Sequence, residues 1–336
     1  MTRVAPEVVA EPDFPELKKV LLGDRGYKIP LAEIDIAKEV QEDWLGSRIR
    51  SAADRVTFWR GAGYDYVILP VEIDFVGAAF GSVRPEPRPG GFLKSLEQAR
   101  SHRWPDPAHF DFSELIKTAD SMPRGMKIIP KLGGLFYFPS ILLGFEQLCI
   151  ACLEDPVFAG YVFERVGVTV AGLVSRFVHH PAVGAIWLSS DIAFGSSLFV
   201  SPDVLRSFVF PWVRNLAEIC HQSEMPMIFH SDGDLTAIIP DLIEAGIDAL
   251  HPIEPAAMDI YEVQREYGER LCLVGNVDVG EVLVRGSPQD VRRSVRELAG
   301  YFTAKGGYVL GSSNSIPPSV PVENFKALID IRSRMQ

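Results

Sequence analysis

The stretch Met227-Ile228-Phe229-His230-Ser231-Asp232-Gly233 is an apolar run of strand length that ends abruptly in polar residues and a glycine. A second run, Tyr308–Leu310, ends in the same way, in Gly311-Ser312-Ser313-Asn314. Polar and ionisable side chains at the carboxyl ends of buried strands are typical of the mouth of an α/β barrel. His230 and Asp232 stand two apart on extended chain, so their side chains point to the same side and can act on one ligand.

Short apolar runs alternate with longer helical patterns from about residue 65 onward. The runs of strand length are Tyr66–Val71, Lys127–Lys131, Ala185–Leu188, Met227–Phe229, Ala249–Pro252, Leu271–Val274 and Tyr308–Leu310. Strands separated by helices pair in parallel. These seven runs with an eighth predict a (β/α)8 TIM barrel over residues 61–336, with residues 1–60 as an N-terminal helical extension packed on it. A doubly wound sheet is the alternative, but no GxGxxG or GxxxxGK(S/T) follows a strand.

Helix boundaries are marked by caps and prolines. Ser201-Pro202 and Ser287-Pro288 each combine an N-cap residue with a proline in the first turn. A helix is predicted over Asp234–Ala245, with Asp234 as its N-cap and Gly246 just past its end. The proline-rich stretch Arg84–Gly91 is predicted to be a long loop over one face.

The composition is that of a soluble globular protein, with 336 residues of which 47% are hydrophobic and 23% charged. The net charge of -11 argues against nonspecific binding to nucleic acid or to an anionic membrane. The sequence has no run of about 18 or more apolar residues, so it predicts no membrane span. Met1-Thr2-Arg3-Val4-Ala5-Pro6 has no signal-peptide core. We therefore expect a cytoplasmic protein that binds neither nucleic acid nor membrane.

Two of the four cysteines, Cys149 and Cys152, form a CxxC within Leu148–Leu153, a helical pattern that is apolar on both sides. A redox or zinc-binding motif is the alternative, but such a CxxC usually opens a helix or lies in a knuckle. We expect both residues, like Cys220 and Cys272, to pack in the core.

The residues that follow the predicted strands line one mouth of a barrel. They are carboxylates, histidines, a lysine and small polar groups, namely Glu72, Asp74, Lys131, Ser190, Asp191, His230, Asp232, His251, Glu254, Asn276, Asp278, Ser312 and Asn314. Such residues also cap helices and satisfy strand ends, which explains Ser190, Asn276, Ser312 and His251 equally well. His230 and Asp232 at one strand tip have little use in packing, so they indicate chemistry.

Nearly the whole chain after residue 28 resembles the uroporphyrinogen decarboxylase superfamily. The resemblance is carried by Asp65–Gly81, Leu143-Gly144-Phe145-Glu146, Asp155-Pro156, Ser201-Pro202, Pro211, His230-x-x-Gly233, Pro240–Leu250, Gly275-Asn276-Val277-Asp278, Gly306-Gly307-Tyr308 and Pro321-Val322-Glu323-Asn324. It implies a barrel and one of two chemistries. One is decarboxylation of uroporphyrinogen, and the other is methyl transfer in which the cobalt of a corrinoid on a partner protein accepts or donates the methyl group.

Decarboxylation is disfavoured by the residues that stand at the positions of the decarboxylase motifs. The resemblance implies an N-terminal arginine-rich motif that grips the acetate and propionate arms, but residues 27–34 carry Glu33 where arginine is needed. A porphyrinogen with many carboxylates demands cationic partners. Glu72 stands at the place of the decarboxylase's essential aspartate, and Asn314 corresponds best to its late histidine.

Methyl transfer fits the architecture better, with one departure. Thiol-directed members of the superfamily bind zinc through His-x-Cys and a later Cys, and these positions are His230, Asp232 and Asn314 here. Zinc in a thiolate site activates a soft thiol by lowering its pKa. Because no cysteine remains at the mouth, we expect no methyl transfer to a thiol such as coenzyme M, and a zinc site is doubtful.

An acid-rich mouth without thiols suits the demethylation of a methyl ether. An alkoxide or phenolate leaves poorly unless its oxygen is protonated or coordinated, and a positioned acid contributes about 10²–10⁴-fold. His230, Asp232 and Glu72 are the candidate catalytic residues, since burial raises a carboxyl pKa. Alternatively, His230 and Asp232 with another carboxylate bind a harder metal that polarises the ether oxygen.

The remaining polar and aromatic residues at the mouth are candidates for substrate binding. They are Asp191, Asn314, Tyr137, Trp187, His251 and Asp278. Aromatic rings of Phe136-Tyr137-Phe138, Trp187 and Phe194 could hold a methoxyarene, although core packing explains any one of them as well. No Asp-x-His-x-x-Gly motif for binding a corrinoid is present, so cobalamin or a related corrinoid is expected on a partner protein. The alternatives are a tetrapyrrole decarboxylase and a non-catalytic ligand-binding member of the fold.

Overall fold

The structure is a computed structural model that describes residues 11–25, 29–80 and 88–330. Part of the predicted proline-rich loop, residues 84–87, lies outside the described residues. The strands of the described residues are β1 Tyr66–Val71, β2 Ile73–Asp74, β3 Ala79–Phe80, β4 Lys127–Gly133, β5 Ile186–Ser189, β6 Ala193–Phe194, β7 Ser197–Leu198, β8 Met227–His230, β9 Ala249–His251, β10 Cys272–Val277 and β11 Tyr308–Ser312. Each of the seven apolar runs predicted from the sequence forms one of these strands.

Seven strands form one parallel sheet in the order β1-β4-β5-β8-β9-β10-β11. Neighbours in the sheet are also successive long strands in the chain, and every pairing is parallel. The order never reverses, as it would in a doubly wound sheet. β2 with β3 and β6 with β7 form two small antiparallel hairpins. The predicted barrel architecture is confirmed.

The helices surround this sheet. They are α1 Phe14–Leu21, α2 Lys38–Leu45, α3 Ala52–Gly61, α4 Leu96–Ser101, α5 Ser113–Ser121, α6 Tyr137–Leu143, α7 Phe145–Glu154, α8 Pro156–Phe177, α9 Pro202–Phe208, α10 Phe210–Gln222, α11 Ile239–Glu244, α12 Ile260–Tyr267, α13 Pro288–Thr303 and α14 Val322–Ile329, with a 3-10 turn at Pro107–His109 and a π-helical turn at Val279–Val284. The predicted starts at Ser201 and Ser287 are correct, since both side chains cap the helices that follow.

The helix predicted over Asp234–Ala245 is shorter than expected, because α11 begins only at Ile239. Asp234 is not the N-cap of this helix. Its carboxylate accepts a hydrogen bond from the backbone N–H of Thr236 at 2.9 Å, which stabilises a local turn instead. The helix still ends where the glycine at 246 predicted, since Gly246 has a φ of 93°.

A segment upstream of β1, residues 30–36, lies along the other edge of β11. Leu31 forms a parallel bridge with Leu310, and the N–H of Ala32 donates to the carbonyl of Leu310 at 2.8 Å. On its far side the hydroxyl of Tyr66, in β1, contacts the backbone of residue 33. We call residues 30–36 the closing segment, because it joins the last strand of the sheet to the first.

The close approach of the closing segment depends on a glycine in β11. A Cβ at Gly311 would lie 2.0 Å from the carbonyl oxygen of Ala32. The predicted division of the chain at residue 60 stays a prediction, but the closing segment places part of residues 1–60 in the barrel wall.

The cysteines lie in apolar surroundings and form no disulfide among the described residues. Cys149 and Cys152 both lie inside α7, and burial raises the pKa of the Cys152 thiol to about 12. Burial also raises the pKa of Cys220 to about 12. A redox or metal-binding thiol needs the opposite shift. Cys152, Cys220 and Cys272 are buried as expected, whereas Cys149 is only half-buried.

α8 is long and apolar enough to cross a membrane by length and composition, and the bent pair of α6 and α7 meets the same test together. Within α8, 56% of the apolar window is buried inside the protein, where it packs against α10 and α7. A helix that is hydrophobic around most of its surface is typical of the core of a large domain. The place of α8 in the helical layer accounts for its composition.

Candidate active site

Two histidines from neighbouring strands meet at the mouth of the barrel. His230 ends β8 and His251 ends β9, and the register of the two strands places them side by side. Their Nδ1 atoms are 2.7 Å apart, so one ring donates a hydrogen bond to the other. Burial lowers the pKa of His230 to about 4 and that of His251 well below its usual range. Both imidazoles are therefore neutral at pH 7.

Because Nδ1 of His230 is engaged with His251, Nε2 is the atom that His230 presents to the mouth. It lies 3.5 Å from a carboxylate oxygen of Asp191 and 3.9 Å from one of Asp232. The charge of Asp191 favours the protonated imidazole, whereas the ammonium of Lys131 opposes it. Lys131, in the second half of β4, also pairs with Asp35 of the closing segment at 2.6 Å.

Asp232 is a carboxyl whose proton affinity is raised. Burial is the largest cause, and the neighbouring carboxylates of Asp191 and Glu254 add to it, so the pKa of Asp232 rises to about 7. The amide of Asn314 donates a hydrogen bond to its Oδ2 at 2.7 Å, which favours the ionised form. Its other oxygen, Oδ1, is buried and has no hydrogen-bond partner. Asp232 therefore exchanges a proton near neutral pH.

The loops that carry these side chains are fixed by backbone contacts. The carboxylate of Glu254 accepts from the N–H of Gly233 at 2.8 Å, and the hydroxyl of Ser231 accepts from the N–H of Ile192 at 3.1 Å. Gly233 has a φ of 81°, and a Cβ there would lie 2.7 Å from the backbone nitrogen of Phe194. A glycine is thus required directly after the Asp232 tip.

Asp191, His230 and Asp232 together could hold a metal ion, since one donor atom from each lies within 4.8 Å of the others. The donor set is one imidazole and two carboxylates, with no thiolate. Such nitrogen and oxygen donors suit a hard or borderline divalent ion. The zinc-thiolate site of the thiol-directed members does not fit these residues.

A second buried polar group lies beside the cluster, and the sequence did not predict its role. Glu33 of the closing segment is 1% exposed, and its carboxyl contacts the N–H and the hydroxyl of Ser312. Burial raises the pKa of Glu33 to about 8. The available signal was a pair of acidic residues, Glu33 and Asp35, that interrupt the apolar run Ile29–Ile36.

Of the other predicted site residues, His251 and Asn314 contact the cluster of Asp191, His230 and Asp232. Glu72 follows β1 and is partly exposed. Tyr137 begins α6 with its ring against Phe138. Trp187 has no exposed surface, and its ring packs edge-on against His251 with centroids 5.1 Å apart. Its ring is therefore part of the core beneath His251 and exposes no face to the mouth. Phe194, at the β6–β7 hairpin, is 76% exposed.

Asp278 lies in a different place from the cluster. It accepts a hydrogen bond from the N–H of Glu281 and so caps the π-helical turn after β10. With Asn276 and Tyr261 it lines a cavity of about 510 Å³. None of Asp191, His230 and Asp232 lines that cavity.

A parallel barrel whose ionisable side chains meet at the carboxyl ends of its strands has the active-site layout of a barrel enzyme. The chain belongs to the uroporphyrinogen decarboxylase (URO-D) family, because residues 52–335 match the sequence model of that family. The resemblance drawn from the sequence motifs is therefore confirmed.

Relatives of both chemistries are similar to this chain. A methylated-thiol–coenzyme M methyltransferase of Methanosarcina mazei is 26% identical over 216 residues, which cover 64% of this chain and 54% of the relative. A methylcobamide:CoM methyltransferase of Methanosarcina barkeri is 30% identical over 134 residues, covering 40% and 37%. A uroporphyrinogen decarboxylase of Chlorobaculum parvum is 27% identical over 182 residues, covering 53% and 49%. The chain spans about half the length, or less, of these curated relatives.

Among solved structures, a methyltransferase from Methanosarcina mazei superposes with a TM-score of 0.75 at 18% identity, covering 96% of this chain and 99% of the other. At that identity the likeness bears on the fold alone, and it agrees with the barrel described above.

Proposed function

We propose that the protein transfers the methyl group of a methyl ether, with a methoxylated aromatic as donor, to the cobalt of a corrinoid carried by a partner protein. The observation that carries this proposal is Asp232, a carboxyl with a pKa of about 7 beside a neutral histidine, where thiol-directed members of the family carry a cysteine. A carboxyl of this kind delivers a proton to an oxygen leaving group, and it cannot serve as a soft zinc ligand.

The chemistry divides between the corrinoid and this chain. A corrinoid on the partner protein would supply a cobalt(I) nucleophile as the acceptor for the methyl group. Asp232, in its protonated form, gives its proton to the departing oxygen, which leaves as a phenol and not as a phenolate. The neutral His230, with Nε2 toward Asp191 and Asp232, lies where the same oxygen would be held.

The corrinoid part of the proposal is supported by family membership and by a relative whose name specifies a methylcobamide. Because the chain spans only part of these relatives, their activities do not pass to it directly. We propose a cytoplasmic setting for the reaction, where a reduced corrinoid protein and a small methoxyarene meet the barrel mouth.

A metal-assisted form of the same reaction is the second version. Asp191, His230 and Asp232 would hold a divalent ion that polarises the ether oxygen, in the place of a proton from Asp232. Elemental analysis of the purified protein, before and after chelation, distinguishes the two. Activity that survives full removal of the metal supports the acid, and activity that returns only with a divalent ion supports the metal.

Replacement of Asp232 by asparagine tests the acid. Asp232→Asn keeps the shape and the contact with Asn314 but cannot donate the proton, so demethylation should fall about 10²–10⁴-fold while the circular dichroism and the unfolding midpoint stay unchanged. The assay follows methyl-cobalt formation by absorbance, with chemically reduced cob(I)alamin and a panel of methoxybenzoates. Asp234→Asn is the matched control, because that carboxylate only accepts from Thr236 in a surface turn.

The outcomes separate three functions. Near-normal turnover in Asp232→Asn would remove this residue from the mechanism. Absence of a methyl-cobalt signal with every methyl donor would contradict methyl transfer altogether. A decarboxylase, which the relative from Chlorobaculum parvum favours, would instead consume uroporphyrinogen. Retention of a ligand without turnover would identify a binding protein.

A further inference from the structure

Glu33 is a carboxyl that the closing segment buries next to the active site. Its Oε1 accepts from the N–H of Ser312 at 2.9 Å, and its Oε2 contacts the hydroxyl of Ser312. The hydroxyl of Tyr66 lies 2.6 Å from the backbone nitrogen of residue 33 and 2.7 Å from its carbonyl oxygen. These contacts fix the backbone and the side chain of Glu33 in one place.

The contacts of Ser312 determine where the proton lies. Its hydroxyl oxygen touches two oxygens, the Oε2 of Glu33 and the backbone carbonyl of Asn314. A serine hydroxyl has a single proton, and a carbonyl has none to give. Each contact has a proton of its own only if the carboxyl of Glu33 donates to the serine and the serine donates to the carbonyl. The geometry therefore favours a protonated Glu33.

The surroundings of Glu33 agree with a neutral acid. The titratable groups that face it are the phenols of Tyr66 from β1 and Tyr308 from β11. The pKa values of both are raised well above the usual range, so both are uncharged at neutral pH. Burial raises the pKa of Glu33 itself, whereas the contacts with Ser312 act in the opposite direction.

The same contacts connect Glu33 to the catalytic carboxyl. Ser312 holds the backbone of Asn314, whose side-chain oxygen accepts from the N–H of Ser315 at 2.6 Å. The amide nitrogen of Asn314 is thereby turned toward Asp232, to which it donates at 2.7 Å.

We propose that Glu33 is a neutral carboxylic acid at pH 7 and a positioning residue, which through Ser312 holds Asn314 against Asp232. Its effect on turnover rests on the proposed function, whereas its protonation and its coupling to Asn314 do not.

Two substitutions of Glu33 separate a neutral acid from an ionised one. In Glu33→Gln the amide oxygen accepts from the N–H of Ser312 and the amide nitrogen donates to its hydroxyl, which reproduces the pattern of the protonated acid. This variant should keep kcat within about 2-fold, while Glu33→Leu, which has no polar atoms, should lower kcat about 10- to 100-fold with little change in KM. Glu39→Gln, on the surface of α2, is the control. Equal loss in the Gln and Leu variants would overturn the proposal, and so would full activity in both.

A spectroscopic and a stability measurement test the protonation without any substrate. The infrared spectrum at pH 7 should contain a neutral-carboxyl band that Glu33→Gln lacks. Because the pKa of Glu33 is about 8 in the folded protein against 4.5 for an ordinary glutamate, the folded form holds the proton more tightly. The stability from this group is full below pH 4.5 and is lost as the pH rises to about 8. The Tm of wild type should fall relative to Glu33→Gln over that window, and parallel curves would contradict a neutral Glu33.

The coupling to Asn314 is measured by a double-mutant cycle on thermal unfolding. Glu33→Leu and Asn314→Leu should be non-additive, since each removes the same chain of contacts. Additive effects would overturn the positioning role. If the infrared band, the Tm curves and the cycle behave as expected while no methyl transfer occurs in wild type, the proposed function fails and the assignment of Glu33 stands.

Discussion

At the scale of single residues, Asn314 is the group that lowers the pKa of Asp232, against burial and the charges of Asp191 and Glu254. Asn314→Leu removes this hydrogen bond at similar volume, so the pKa of Asp232 should rise above about 7. An acid acts in its protonated form, so the alkaline limb of the profile of kcat/KM against pH should move to higher pH.

The measurement is the profile of kcat/KM between pH 5 and 9 for wild type and Asn314→Leu, which reports the titration of the free enzyme. A limb that stays in place, or that moves to lower pH, would show that Asn314 does not tune the acid.

The residues of the cluster were predictable only in part. His230 and Asp232 follow from the strand tip, because alternate side chains on extended chain share a side. The partners of His230 do not follow, since His251 and Asp191 reach it through the register between separate strands, which no local pattern records. Glu33 was noted in the sequence only as an acid in the place of an arginine, because its burial depends on β11, far along the chain.

At the scale of elements, the contact between the closing segment and β11 requires a residue without a side chain at position 311. In Gly311→Ala the new Cβ would meet the carbonyl oxygen of Ala32 at 2.0 Å, a backbone atom that cannot turn away. We expect a loss of about 3 kcal/mol in the free energy of unfolding, measured by urea denaturation.

Gly300→Ala is the matched control, since a Cβ there meets nothing within 4 Å on the exposed side of α13. In a helix interior this change should be neutral or stabilise by about 0.5–1 kcal/mol. Equal effects at both glycines would mean that the closing segment moves freely away from β11.

The strands were predictable from their apolar runs because parallel strands are buried on both faces. Two features were not. The closing segment forms two isolated bridges and not a long strand, so its pattern is too short to stand out. The first turn expected for α11 is replaced by the Asp234 turn, because an aspartate bonds its own neighbouring backbone as readily as it caps a helix.

At the scale of the whole molecule, α1 and the closing segment precede residue 52, where the family match begins. A chain that begins at residue 38 would lose the hydrogen bonds to Leu310 and the cover over β1 and β11. It should unfold at a lower urea concentration than the full chain and should bind a hydrophobic dye in buffer. An unchanged midpoint with no dye binding would show that the barrel is complete without these residues.

The contact between Glu33 and Ser312 spans 279 positions of the chain. During synthesis the closing segment leaves the ribosome early, and its partner strand β11 leaves after most of the chain. Local strand and helix pairs can form as they emerge, but the edges of β1 and of the closing segment stay open until the last strand arrives. The closing segment is therefore synthesised first and is among the last parts of the barrel to be fixed in place. The carboxyl of Glu33 becomes buried with its proton only when β11 pairs with this segment.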